Sequence, residues 1–221
     1  MNLQNPKKFK LLIDQAHEVA LNVLRPISRK YDKAEHAYPK ELDMLASVVD
    51  GMNQGSEGMN AGAAVNKRGD SDESNKNGVN MSTALSIVEM CYGDTGLLLS
   101  MPRQGLGNSA IAAVANDEQL QRFHGIWAAM AITEPGCGSD SAAIRTTAIK
   151  DGDDYILNGE KIFVTSGERA DAVVVWATLD KKLGRAAIKS FVVPKGTPGM
   201  KIERLEHKLG IKASDTAAIS F

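Results

Sequence analysis

Apolar residues recur at helical spacing through the first part of the chain. Leu12, Ala16, Val19, Val23 and Ile27 follow one another at steps of three or four, which predicts a helix over roughly residues 7–30 burying one stripe. Pro26 lacks the N–H that a helix interior uses, so it bends or ends that helix. Pro39 stands where a first-turn proline belongs, and Leu42, Leu45, Ala46 and Val49 mark one face of a second helix that Gly51 stops. Helical spacing resumes after Asn80. Leu85, Val88 and Cys91 share a face, Asp94 can cap the next segment, and Asn116 or Asp117 can cap a short helix carrying Leu120 and Phe123.

At Trp127 the period changes to short β-branched and aromatic runs bounded by turn residues. DGDD separates a strand at 146–149 from one at 155–157, and Asn158 with Gly159 is a two-residue hairpin signal leading into 161–164. Further strands are expected at 172–177 and 188–193, a break at 195–199, and a last strand at 216–221 that leaves the sheet short at its closing edge. The expected class is α+β: an N-terminal all-α helical domain over residues 1–125 followed by an antiparallel β-barrel domain over 126–221. Inside the first domain, residues 51–80 hold six glycines and six asparagines without an aromatic residue. Such a stretch buries too little apolar surface to offset ordering and reads as a mobile loop, the alternative being a compact loop held by its Met and Ala residues.

The 221 residues carry 26 Lys plus Arg against 27 Asp plus Glu, a net charge of −1. That balance offers no field for a polyanion, so nucleic acid is not the expected partner. No apolar run approaches the roughly 18 residues of a membrane span, and charges interrupt the first twenty residues where a signal peptide keeps a clean apolar block. A cytoplasmic protein is expected. Cys91 and Cys137 form no CxxC pair, and His17, His36, His124 and His207 show no i, i+4 spacing, so neither a disulfide framework nor a metal site is expected.

Candidate chemistry concentrates at residues 131–140, where a strand end meets Pro135, Gly136 and Gly138 with hydroxyls at Thr133 and Ser139 on either side. Amides unobstructed by Cβ atoms, next to small hydroxyls, suit a phosphate or the electron-rich edge of a ligand. Read alone, the same residues make a tight turn, whose backbone Ser139 and Asp140 satisfy, in preference to a ligand site.

Further blocks follow in order: DGDDYILNGEKIFVTSG at 151–167, Ala170 with Asp171, FVVPKGTPG at 191–199 and KLGIKASDT at 208–216. That succession resembles the middle domain of the acyl-CoA dehydrogenases over nearly all of residues 127–221. Before residue 125 the likeness rests on helical character, the segment at 89–94 and the helix at 116–123. The resemblance implies an FAD enzyme that desaturates an acyl-CoA thioester between Cα and Cβ in fatty-acid β-oxidation or amino-acid catabolism. A carboxylate would take the α-proton while a hydride leaves Cβ for the flavin. It assigns flavin contacts to Met130, Ala131, Ile132, Thr133, Gly138 and Ser139 and to Phe163, Val164 and Thr165, with Ser139 also beside the acyl-CoA. Donors held at the ring edge before reaction stabilise the charge that a reduced flavin acquires.

It further implies a homo-oligomer and an electron-transfer flavoprotein or similar acceptor. Leu98, Leu99, Ser100 and Met101 could line an acyl pocket or pack a core. Cys137 replaces a usual Ala, Gly or Ser, Phe163 a usual Trp, residues 51–80 a segment with a ProGlu and paired glycines, and the connection at 123–127 is short. In the family pattern the catalytic glutamate, a second helical bundle and the neighbouring subunit's flavin contacts lie beyond residue 221. Hence no catalytic residue is assigned, Glu134 and Asp140 are given turn duties, and the 221 residues alone are expected to bind weakly and turn over little. An acyl-CoA oxidase-type flavoenzyme and a noncatalytic subunit needing a partner chain are the other two readings.

Overall fold

A computed structural model of the protein describes residues 7–53, 79–103 and 106–221. They form two compact units. A helical unit takes residues up to 102 together with 208–214, and a sheet unit takes 103, 106–207 and 215–221. The Gly- and Asn-rich loop expected at 51–80 falls mainly on residues 54–78, outside the described residues.

In the helical unit the expected first helix runs as α1 (Lys10–Val19), a π-helical turn (Ala20–Leu24) and α2 (Arg25–Lys33). The wider turn lies immediately before Pro26, and the Arg25 N–H bonds back to the Ala20 carbonyl. An inserted residue of this kind lets the helix continue past a proline that cannot donate. It also moves the buried stripe onto Ala16, Ala20, Leu24 and Tyr31, leaving Val19, Val23 and Ile27 on its flank. α3 (Glu41–Asn53) runs through Gly51, because one glycine costs a helix only about 1 kcal/mol and does not end it.

α4 (Val79–Leu99) breaks at Asp94, whose backbone is extended. There the Asp94 carboxylate caps the second segment by accepting the Leu97 amide at 2.8 Å and is also held by the Ser28 hydroxyl. The face that α4 buries carries Met90, Gly93 and Leu97, while Val88 points to solvent. Gly93 is required there, since a Cβ would lie 2.8 Å from the Ala20 carbonyl oxygen. Residues 208–214 complete this unit: Ala213 joins its core, and the buried Ser100 hydroxyl donates to the carbonyls of Gly96 and Ala213.

The sheet unit opens with α5 (Leu106–Val114) and α6 (Asp117–Arg122). Asn116 caps α6 through a reciprocal pair of bonds with Gln119. Both helices cluster with the strands because Ile111 and Ala115 bury against Ala128 and Val174, with Leu120 and Phe123 alongside. The strands are β1 (Ala128–Ala131), β2 (Thr147–Asp151), β3 (Asp154–Asn158), β4 (Glu160–Thr165), β5 (Ala172–Thr178), β6 (Ile188–Pro194), β7 (Lys201–Leu205) and β8 (Thr216–Ser220).

They do not close into an antiparallel barrel. One sheet is mixed and has the order β1-β5-β2-β3, with β6 also on β5; the other has the order β4-β8-β7. β1 runs parallel to β5, Ala128 opposite Ala172, because the chain between them first visits β2, β3 and β4. The Asn158–Gly159 step is not a hairpin either. β3 and β4 belong to different sheets, and Gly159, at φ +153°, passes the chain between them against Thr146 with no room for a Cβ. The hairpin at DGDD does form, with Gly152 at φ +61° between Asp151 and Asp154. The core between the sheets joins Trp127, Ala129, Ala131, Val173, Val175 and Val193 to Val164, Ala217 and Ile219. Among the described residues no helix is long and apolar enough to cross a membrane.

α5 sets the start of β1. The buried Asn108 side chain donates to the Ile126 carbonyl at 2.7 Å and accepts the Ala128 amide at 3.0 Å. A methyl on Gly107 would lie 2.4 Å from the carbonyl oxygens of both Ala128 and Ala129. Gly107→Ala is therefore expected to lower the unfolding free energy in urea by at least ~2 kcal/mol. Gly136→Ala, whose methyl meets nothing within 4 Å, should stay within ~0.5 kcal/mol of the parent; equal midpoints for the two variants would contradict the close approach.

Candidate functional site

β1 ends by feeding a turn whose two faces are chemically opposite. Glu134 and Cys137 exchange backbone hydrogen bonds at 3.0 and 3.1 Å, closing Pro135 and Gly136 into a two-residue connection. Pro135, Gly136, Gly138 and Ser139 are exposed, and a Cβ on either glycine would meet nothing within 4 Å, so the backbone lies open on that side. The Glu134 side chain goes the other way, inward, and is only 6% exposed. Its carboxylate accepts the amides of Arg145 and Thr146 at 2.6 and 2.9 Å and the Lys161 ammonium at 2.8 Å.

Lys161, on β4, is 0% exposed. Besides pairing with Glu134 it donates to the Ile132 carbonyl at 2.9 Å, and the next amide, Ile162, donates to the Thr133 carbonyl at 2.9 Å. Since Ile162 is committed to the turn, β4 slips its register on β8 between Lys161 and Val164. At that bulge Phe163 takes φ +58° and is 60% exposed. A bulky residue held at positive φ with its ring in solvent is a strained arrangement of the kind that collects at functional surfaces.

The far end of β4 is underpinned in the same way. Ser166, also at positive φ, donates its amide to the buried Asp215 carbonyl at 3.1 Å. The Asp215 carboxylate takes the Glu168 amide at 3.0 Å and faces the Arg169 guanidinium at 3.3 Å.

Burial pushes the Glu134 carboxyl upward, but Lys161 and the two amides outweigh it and hold it below the ordinary carboxylate range. Burial draws Lys161 down, with Glu134 opposing. The Cys137 thiol is pushed up by burial and by the Glu134 charge, so it stays protonated and unreactive at neutral pH. Glu134 is a buried anion whose two oxygens both accept from donors, so it is not presented to solvent for proton abstraction.

Of the residues singled out in the sequence, Ile132, Thr133, Phe163 and Thr165 lie on the two segments that the Ile162–Thr133 bond joins. Gly138 and Ser139 lie on the exposed limb of the turn, and Met130 is half-buried in β1. Ala131 and Val164 turn their side chains into the core between the sheets. In the helical unit Met101 packs on the core and Ser100 is bonded within it. Lys161, Arg169 and Asp215 escaped notice in the sequence; a lone lysine in a strand next to IlePheVal was the available sign. Two segments tied together, with open amides, small hydroxyls and a presented aromatic ring, suit a planar ligand whose edge accepts hydrogen bonds.

Residues 129–221 match the family described as "Acyl-CoA dehydrogenase, middle domain". Over its whole length the chain is 31% identical to the short-chain-specific acyl-CoA dehydrogenase of Clostridium acetobutylicum and covers 56% of that protein. Solved structures give the same picture. The chain superposes in full, with a TM-score of 0.79 and 26% identity, on butyryl-CoA dehydrogenase from Megasphaera elsdenii, covering 57% of it. A structure described as the electron transferring flavoprotein of Acidaminococcus fermentans matches with a TM-score of 0.79 and 30% identity, again over all of this chain and 56% of the other. The chain thus spans about half the length of the relatives it matches.

The buried pair makes a pH-dependent contribution of definite sign. The folded-state pKa of Glu134 lies below its ordinary value of 4.5, so its stabilisation is complete above that value and is lost as pH falls through the lower one. Glu134→Gln should therefore be destabilised relative to the parent at about pH 6, and the gap between their melting temperatures should shrink from about pH 5 towards pH 3. A gap that stays constant or widens on acidification would show that the Glu134 charge is not what Lys161 answers.

Proposed function

We propose that this chain is part of an acyl-CoA dehydrogenase, the family whose middle-domain model matches residues 129–221, and that the face carried by Ile132, Thr133, Gly138, Ser139, Phe163 and Thr165 binds FAD. The protein it forms part of would then catalyse α,β-dehydrogenation of an acyl-CoA thioester. The observation that carries this reading is the bulge in β4, which holds Phe163 at φ +58° with its ring exposed on the segment bonded to Thr133. The residues fit such a group: an aromatic wall, amides open beside Gly136 and Gly138, and hydroxyls of Thr133, Thr165 and Ser139.

When bound, FAD supplies a two-electron acceptor for the hydride that leaves Cβ. The chain's own share is to bind and orient. The carbonyls of Ile132 and Thr133 accept from Lys161 and Ile162, and the amides of Gly136 and Gly138, with no Cβ in the way, are the donors this reading turns toward a ring gaining negative charge. Met130, Ala131 and Val164 shape the site through the backbone, the last two with side chains committed to the core. Ser139, exposed at the end of the turn, is the residue this reading assigns to a phosphate and to the acyl-CoA. Removal of the α-proton needs a carboxylate that is free to accept it. Glu134 is not, which supports low turnover by these 221 residues alone. The reading extends to a cytoplasmic homo-oligomer that passes its electrons to an electron-transfer flavoprotein or a similar acceptor, a partner class in keeping with the Acidaminococcus likeness.

Titration of FAD into the purified 221-residue chain, followed by the visible flavin spectrum, tests the proposal. Weak but saturable binding is expected, Phe163→Ala should weaken it about tenfold, and dye-coupled oxidation of butyryl-CoA should stay close to background. No spectral change on titration, or equal affinity in Phe163→Ala, would overturn the site. Stoichiometric flavin with steady dehydrogenation would overturn the low turnover.

A further inference from the structure

Lys161 is the largest fully buried side chain of the described residues. An ammonium withdrawn from water is costly, and an apolar residue of the same volume generally serves stability as well or better. Packing therefore does not account for a lysine at this position; its partners do. Nζ reaches the Ile132 carbonyl and the Glu134 carboxylate, on either side of Thr133, while the neighbouring Ile162 amide takes the Thr133 carbonyl. Three consecutive residues entering the turn are thus tied to two consecutive residues of β4. Glu134 carries the same network on to the amides of Arg145 and Thr146, at the entrance to β2. The Lys161 ammonium and the Glu134 carboxylate are buried, off the exposed face.

We propose that Lys161, acting through Glu134 and the Ile132 carbonyl, is a positioning residue that sets the Ile132–Thr133 backbone against the Phe163 bulge, so that turn and ring form one surface. This rests on the flavin reading above for the identity of the ligand, but not for the geometry. Loss of Nζ removes the donor to Ile132 and strands a buried carboxylate. Loss of both charges removes the stranded carboxylate, yet leaves Ile132 without its donor. Stability and positioning therefore separate in the double variant.

The experiment compares the 221-residue chain, Lys161→Met and the double variant Lys161→Met with Glu134→Gln. Their melting temperatures, amide hydrogen exchange and FAD titrations are measured side by side. Lys161→Met should melt lower than the parent, and the double variant should recover part of that loss, since the stranded charge is gone while the Gln oxygen still accepts one of the Arg145 and Thr146 amides, which reach different carboxylate oxygens in the parent. In the double variant the Ile162 amide should still exchange about tenfold faster than in the parent, with Val173, Val174 and Val175 on β5 unchanged, and the FAD midpoint should stay about tenfold higher. Parent-like Ile162 protection in the double variant would overturn the proposal, whatever the FAD titration gives. Fast Ile162 exchange in variants of a parent that shows no FAD binding would support the positioning role and overturn the flavin reading. Should Lys161→Met fail to fold, the double variant alone decides.

Discussion

An ammonium and a carboxylate enclosed together in the sheet unit must satisfy one another, and much of the local architecture follows from that requirement. Lys161 can meet Glu134 only if β4 lies beside the segment leaving β1, and that neighbourhood commits Ile162 to Thr133 instead of to β8. The ladder then slips, the backbone at Phe163 adopts positive φ, and an aromatic ring is driven into solvent. A pair of this kind adds little net stability over apolar packing, but breaking it is expensive, so it makes the arrangement specific. The buried Asp215, which faces Arg169 and takes the amides around Ser166 and Glu168, does the same at the other end of β4.

The helical unit is held by close backbone contact and by capping. The π-helical turn at Ala20–Leu24 accommodates Pro26 without ending the helix, and Gly93 lets the α4 backbone come against Ala20. Asp94 both interrupts α4 and caps its continuation, and Ala213 and Ser100 draw residues 208–214 into the same core. The strands on either side of that excursion belong to the sheet unit, so a short run of sequence serves two cores in succession.

Local features were legible from the sequence wherever their cause is local. The capping of α6 by Asn116, the interruption at Asp94, the long first helix and the DGDD turn all depend on residues within a few positions of one another. The errors have a common origin. The stripe of the first helix shifted because an inserted residue changes phase, which no period count anticipates. Asn158–Gly159 has the composition of a hairpin, yet the space that glycine needs is dictated by Thr146 on another strand. Of the candidate site, the turn and the β4 segment were legible through ordered motifs, whereas the ion pair beneath them was not, because a lysine in a strand carries no local mark of burial.

By itself, then, the sequence determined the kinds of element and their order and carried the likeness to the acyl-CoA dehydrogenase middle domain over residues 129–221, since hydrophobic period, turn residues and ordered motifs are properties of contiguous chain. Tertiary structure alone decided that β1 runs parallel to β5, that two sheets pack without closing, and that Lys161 meets Glu134 beneath an exposed Phe163. Each of these brings together groups far apart along the chain. Their energies come from desolvation and steric exclusion, which exist only once the distant partner has arrived.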